Sequence, residues 1–128
     1  MRQKAGTRQT GDIAEMAVMA AITRLGYGVA VPVGIEKYDF VATRHGVAYK
    51  VQVKSGRYNK RGYFEANLRP PCRADDYSGG DVDAFAVYNP ERDEVYWLWF
   101  DEAPKRYAKR AEETWKQDEI TEKLCLSQ

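Results

Sequence analysis

The sequence is poor in the residues that build disulfide frameworks, zinc sites and membrane spans. Its 128 residues include two cysteines, Cys72 and Cys125, and one histidine, His45. The cysteines are far apart and match no metal-ligand spacing, so we expect no zinc site and two reduced thiols, as in intracellular proteins. The chain also lacks a run of about 18 apolar residues that would span a membrane and the apolar core of a secretory signal. We therefore expect a cytoplasmic protein without a membrane partner.

An excess of one charge sign is also missing, because the formal net charge is only +1. The charges are nevertheless segregated along the chain. Residues 43–73 contain eight Lys or Arg against the single acid Glu65, and residues 74–102 contain nine acids against Arg92. Aromatic and cationic side chains alternate in the basic block, which indicates a surface for a polyanion with rings that can stack on bases. The alternative is a surface loop whose cations pair with the acidic segment.

The apolar periodicity predicts one α/β domain that covers residues 1–128, without repeats or an interdomain linker. Helical spacing predicts a first helix over 10–26, capped by Thr10 or Asp12, and a last helix over 104–124. Alternation and turn residues predict strands between them. The predicted strands cover residues 27–33, 38–43, 47–54, 84–88 and 95–100, and residues 63–68 are a strand or a loop.

The hairpin formed by the second and third strands carries polar residues on one face. A turn centred between His45 and Gly46 places Asp39 opposite Gln52 and makes Lys54 its diagonal neighbour. Opposed Cβ atoms lie about 5 Å apart and diagonal ones about 7–8 Å apart, so one small ion and one water would reach all three side chains. The alternative is an ordinary half-buried hairpin with a solvated polar face.

The first helix carries a carboxylate, Glu15, whose neighbours at helical spacing are apolar. A carboxylate on such a flank needs a partner. Because Asp12 precedes Glu15 by three residues, one explanation is a capping box at the start of the helix. The other is a role in a site shared with the hairpin.

The order of these pieces resembles the core of the PD-(D/E)xK nuclease superfamily, in which a helix with Glu precedes a hairpin with Asp and Lys. Longer segments are similar to group I intron-associated homing endonucleases of that superfamily and, more distantly, to archaeal Holliday junction resolvases. These segments include Gly11-Asp-Ile-Ala-Glu, Tyr38-Asp-Phe-Val, Val51-Gln-Val-Lys-Ser-Gly-Arg and Asp83-Ala-Phe-Ala-Val-Tyr-Asn-Pro-Glu. The resemblance covers residues 11–100 and implies a restriction-endonuclease-like domain, with a central mixed β-sheet flanked by helices, an αβββαβ-type core and a C-terminal helix.

The resemblance also implies roles for individual residues. The predicted catalytic residues are Glu15, Asp39, Gln52 and Lys54, and the predicted ligands of Mg²⁺, for which Mn²⁺ substitutes, are Glu15, Asp39, Gln52 and the Val53 carbonyl. Gln52 stands where most of the superfamily has Glu or Asp, so the site has two carboxylates and should hold the ion less tightly. A variant site and a decayed, inactive one both remain open.

The expected function is that of a magnesium-dependent DNA endonuclease of the homing type, which cuts duplex DNA as a homo-oligomer, either a dimer or a tetramer. One alternative is a Holliday junction resolvase that makes symmetric nicks in four-way junctions. Another is a noncatalytic DNA-binding module. The predicted DNA contacts lie in and after the third strand, at Lys50, Ser55, Arg57, Tyr58, Lys60 and Arg61.

Overall fold

The computed structural model describes residues 6–69, 77–104 and 107–125. Strands make up most of the chain between an N-terminal helix and two short C-terminal helices. In chain order the elements are α1 (Thr7–Arg24), β1 (Gly28–Ala30), β2 (Phe40–Arg44), β3 (Val47–Ser55), β4 (Arg57–Tyr58), β5 (Phe64–Asn67), β6 (Ala84–Asn89), β7 (Glu94–Trp99), a 3-10 turn (Phe100–Glu102), β8 (Tyr107–Arg110), α2 (Glu112–Lys116) and α3 (Ile120–Cys125). None of the helices in the described ranges is long and apolar enough to cross a membrane.

The central sheet has five strands in the order β1-β2-β3-β6-β7. β1, β2 and β3 form an antiparallel meander, β6 pairs in parallel with β3, and β7 returns antiparallel to β6. Every residue of β6 is buried, which is typical of a strand covered on both faces. The predicted strands at 38–43, 47–54, 84–88 and 95–100 therefore exist, whereas the strand predicted over 27–33 is shortened to three residues.

The predicted register of the β2–β3 hairpin is confirmed. Phe40 pairs with Val51, and Arg44 pairs with Val47 next to the turn. His45 and Gly46 have φ angles of 50° and 79°, the left-handed conformation that a two-residue hairpin turn of the primed type requires. Asp39 lies just beyond the first pair, so the polar residues of the hairpin meet at its end away from the turn.

Two apolar cores cover the two faces of the central sheet. On one face, α1 buries Ala14, Val18 and Ile22 against alternate residues of the strands, among them Val51 and Val53. On the other face, Phe85 and Val87 of β6 pack against a second, three-stranded sheet. Gln52 and Lys54 pair with these two β6 residues and therefore lie on the face of the second sheet.

The second sheet has the order β4-β5-β8 and is joined to the central sheet at Gly56. A Cβ atom on Gly56 would lie 2.2 Å from a ring carbon of Phe64, so only glycine allows β4 to turn so closely over this ring. Trp115 closes the same core and donates a 2.7 Å hydrogen bond from Nε1 to the Phe64 carbonyl. Residues 63–68, which the sequence left as strand or loop, contain β5.

The C-terminal prediction was wrong. In place of one helix over 104–124, the chain forms β8, which pairs with β5, and then two short helices, α2 and α3. The αβββαβ order implied by the resemblance also differs in detail. In the described part of the connection from β3 to β6, the chain forms the β4–β5 hairpin and no helix.

The predicted start of the first helix was also wrong. α1 begins at Thr7, after Gly6, and the Gly6 N–H donates to Oε1 of Gln9 at 3.2 Å. Neither Thr10 nor Asp12 is the N-cap, and Glu15 lies in the middle of the helix. The capping-box explanation for Glu15 is therefore excluded.

Candidate active site

The candidate site lies at the end of the β2–β3 hairpin that is away from its turn. Asp39 immediately precedes β2, and its Oδ2 accepts a 2.8 Å hydrogen bond from the Val53 N–H. Because β2 begins only at Phe40, this carboxylate takes the place of a main-chain acceptor beside β3. One oxygen of Asp39 is thus fixed by the strand, and the side chain is held in a single direction.

The two predicted carboxylates lie close enough to influence each other. Burial raises the pKa of Asp39, and the Val53 N–H and the charge of Lys54 oppose that rise. Burial also raises the pKa of Glu15, and the negative charges of Asp39 and Asp12 raise it further. Across the described ranges, no basic side chain forms an ion pair with Glu15. Two half-buried carboxylates with little neutralising charge form a place that favours a cation.

Lys54 is the cation of the site, and it is held from two sides. Its Nζ donates a 2.6 Å hydrogen bond to the carbonyl of Arg69 and lies 5.2 Å from the centre of the Tyr77 ring. Burial lowers its pKa to about 8, although the charge of Asp39 acts in the opposite direction. Lys54 is therefore fixed in position and gives up its proton far more readily than an exposed lysine.

Gln52 lies on β3, two residues before Lys54 and on the same face of the strand. Its Nε2 is 3.5 Å from the carbonyl oxygen of Val53, the outer limit for a hydrogen bond. Both residues were predicted as metal ligands, and the Val53 N–H is also the group that donates to Asp39. Within the described ranges, no three His, Cys, Asp or Glu side chains are grouped so that they could hold a metal ion.

The predicted DNA contacts separate into two groups. The first lies beside the candidate site on β3, where Ser55 is half-buried at the end of the strand. Lys50 is exposed, but its Nζ donates to the Gly80 carbonyl at 2.9 Å and lies 6.0 Å from the centre of the Tyr38 ring. Ser55 therefore adjoins Lys54 on β3, and the Lys50 ammonium is held by the Gly80 carbonyl.

The second group lies on the β4–β5 hairpin. Lys60 and Arg61 are exposed in its turn, and Arg57 is paired loosely with Glu65 at 3.8 Å. Tyr58 differs from these three. Its hydroxyl accepts a hydrogen bond from Asn89, and its ring packs edge-on against Phe64, so the structure gives it a packing contact in addition to any contact with DNA.

Sequence reasoning missed the groups that hold Lys54. Arg69 and Tyr77 follow it by 15 and 23 residues and reach it from the connection between β5 and β6. Arg69 acts through its main-chain carbonyl, which no side-chain pattern reveals. The N–H of Arg69 is itself bonded to Oδ1 of Asn67 at 3.0 Å, which orients this turn.

Comparison with known proteins identifies a family and a similar solved structure. A family model described as PD-(D/E)XK endonuclease matches residues 5–123. The solved structure of a bacterial homing endonuclease, I-Ssp6803I, is similar to this chain with a TM-score of 0.74 and 29% sequence identity, and the match covers 84% of this chain and 80% of that one. A search of curated proteins found no match.

Proposed function

The chain belongs to the PD-(D/E)XK endonuclease family, and from this premise we propose that it is a magnesium-dependent enzyme that cuts duplex DNA as a homo-oligomer. The family membership and the homing endonuclease neighbour confirm the restriction-endonuclease-like α/β fold expected from the sequence. One observation carries the proposal: Asp39 accepts a hydrogen bond from the Val53 N–H, next to Lys54 at the end of one hairpin, and its charge acts on Lys54 and on Glu15 of α1.

The donor set fits a magnesium ion. Carboxylate oxygens of Glu15 and Asp39, the amide oxygen of Gln52 and the carbonyl of Val53 are the hard oxygen ligands that this ion prefers, and Mn²⁺ accepts the same ligands. Gln52 must turn its amide nitrogen away from the Val53 carbonyl before both oxygens serve together. Magnesium bound at such a site lowers the pKa of a bound water and supplies positive charge to the phosphate.

The residues of the chain supply orientation and proton control. The Val53 N–H fixes Asp39, so the carboxylate does not need to be ordered when the substrate binds. Lys54, held by the Arg69 carbonyl, donates from Nζ to a phosphoryl oxygen. Its pKa of about 8 also allows it to exchange a proton with the attacking water or the leaving oxygen near neutral pH.

The exposed cations of the β4–β5 hairpin extend this site towards the rest of the duplex. Lys60 and Arg61 are free to contact phosphates, which fixes the DNA without reading its sequence. The described part of each chain has one candidate site, whereas a duplex has two strands. An assembly of two or more copies supplies the second site that double-strand cutting requires.

The decisive experiment is a cleavage assay with a supercoiled plasmid pool that carries random inserts, its linear form and a synthetic four-way junction. Each DNA is incubated with and without magnesium, with the wild type, Lys54→Ala and Lys109→Ala, which removes an exposed lysine of β8 outside the site. We expect magnesium-dependent cutting of duplex DNA at discrete positions, lost in Lys54→Ala and kept in Lys109→Ala.

Other outcomes would replace the proposal. Paired symmetric nicks confined to the junction would indicate a resolvase. Binding of DNA without cutting under all conditions would indicate a noncatalytic module. Cutting that survives Lys54→Ala would place the chemistry elsewhere in the chain.

A further inference from the structure

The loop that connects β1 to β2 presents three aliphatic side chains to water, Val31, Val33 and Ile35. Val33 and Ile35 have relative exposures of 102% and 101%, the largest among the exposed large hydrophobic residues of the described ranges. Gly34 between them has a φ of 97°, and no other atom lies within 4 Å of the position of its missing Cβ. The two side chains therefore flank a glycine bend that stands clear of the rest of the molecule.

This loop is tied to the candidate site by the chain itself. Ile35 precedes Asp39 by four residues, so its Cα lies at most about 14 Å from that of Asp39. Lys37, near the end of the loop, pairs with Asp81 at 3.5 Å. A duplex whose phosphate lies at Asp39 therefore passes within about four base-pair steps of the bend, given a rise of about 3.4 Å per step.

We propose that Val33 and Ile35 are an apolar wedge that enters between stacked base pairs next to the cleavage position, an inference that rests on the proposed function. Proteins that kink DNA insert one or two aliphatic side chains between base steps, which is the size and chemistry of this bend. Glu36 and Lys37 follow it and cancel in charge, so the bend does not act by attracting phosphates.

A second copy of the chain is a weaker explanation for this surface. A stable subunit contact buries about 800 Å² on each partner. The three exposed aliphatic side chains of this loop, Val31 included, supply only a small part of that area. A bend whose Ile35 Cα lies within about 14 Å of the Asp39 Cα is within reach of a duplex in the site, and a subunit contact does not require this proximity.

The test compares the affinity for two short duplexes of the same sequence, one fully paired and one with a small mismatched bubble. It uses fluorescence anisotropy with Lys54→Ala, which should bind DNA without cutting it. In a bubble the base pairs are already unstacked, so we expect binding to be about tenfold tighter than to the paired duplex. Adding Val33→Ser and Ile35→Ser should bring the ratio of the two affinities close to one.

Val47→Ser is the matched control. Val47 is an exposed aliphatic residue at 42% exposure, but it lies at the turn end of the β2–β3 hairpin, away from Asp39. This variant should keep the preference for the bubble. The serine substitutions in the bend remove no packing contact, so their unfolding midpoint should equal that of the parent.

Three outcomes would overturn the inference, and they are distinguishable. DNA binding without a preference for the bubble, or a preference that survives the serine substitutions, would remove the wedge and leave the proposed function intact. A lower mass of the double-serine variant in sedimentation would assign the bend to a subunit contact. Absence of binding to both duplexes would overturn the proposed function and the wedge with it.

Discussion

The β2–β3 and β4–β5 hairpins differ in how far their charged side chains are buried and held by hydrogen bonds. In the β2–β3 hairpin, Asp39 and Lys54 are half-buried and each is held by a main-chain group. In the β4–β5 hairpin, Asn59 fixes the main chain by accepting from the N–H groups of Arg61 and Tyr63, but the charged ends of the turn are exposed. Chemistry needs fixed groups whose protonation is controlled, whereas attraction of a polyanion needs only charge.

The largest effect, a loss of cleavage, is expected from a substitution at the β2–β3 hairpin. Asp39→Asn keeps an acceptor for the Val53 N–H but removes the negative charge, so we expect single-turnover cleavage to fall by about a thousandfold. The affinity for DNA should stay near that of the wild type. Asp101→Asn, an exposed acid in the 3-10 turn, is the control and should cleave normally. Cleavage by Asp39→Asn at the wild-type rate would remove this residue from the site.

The next largest effect, a loss of stability, is expected from a substitution in the connection between the two hairpins. Gly56→Ala forces a Cβ into the Phe64 ring and against the Glu65 carbonyl, so we expect the free energy of unfolding to drop by about 3 kcal/mol. Gly79→Ala, where the added Cβ meets nothing within 4 Å, should change it little. Urea unfolding of the two variants measures the difference. Equal midpoints would show that the second sheet does not pack closely at this point.

Substitutions in the β4–β5 hairpin should weaken DNA binding and leave the rate of the chemical step unchanged. Replacing Arg57, Lys60 and Arg61 together by Ala should flatten the dependence of log Kd on log salt concentration by about two to three units of slope. The rate of cleavage at saturating protein should not change. The same titration with Lys109→Ala and Lys116→Ala is the control. An unchanged slope in the triple variant would place the DNA on another surface.

The smallest effect is a pH dependence of stability from Lys54. Its pKa is about 8 in the folded protein and has its ordinary value of 10.5 when unfolded. Between these values the unfolded chain binds more protons, so the folded state gains stability as the pH rises from 8 to 10.5. Lys54→Met lacks this gain. We expect it to be more stable than the wild type below pH 8, with a gap in urea midpoint that narrows by pH 10. A constant gap would mean that Lys54 is not desolvated.

The sequence predicts the β2–β3 hairpin well because the residues that determine its register are close together in the chain. The turn residues His45 and Gly46 set the register, and the register alone places Asp39 opposite Gln52. Glu15 required tertiary information, since its spacing from Asp12 fitted a cap equally well. Only the start of α1 at Thr7 separates the two explanations.

The second sheet was not predictable because its partners are distant in sequence. Tyr107, Ala111 and Trp115 recur at a helical spacing, which favoured a single C-terminal helix. In the structure, pairing of β8 with β5 overrides that spacing, and Trp115 is buried in the core between the sheets. The groups that hold Lys54 were missed for the same reason.

The C-terminal part of the chain also shields the outer edge of the central sheet. The Trp97 N–H on β7 donates to the Asp118 carbonyl, and Tyr96 bridges to Glu119, so this aromatic edge strand is not open to a further strand. A chain shortened to residue 104 would lose that shield and expose an apolar edge of the kind that nucleates aggregation. Light scattering would detect it. Asp118 and Glu119 thus protect the protein from aggregation, and removing the segment that carries them carries that risk.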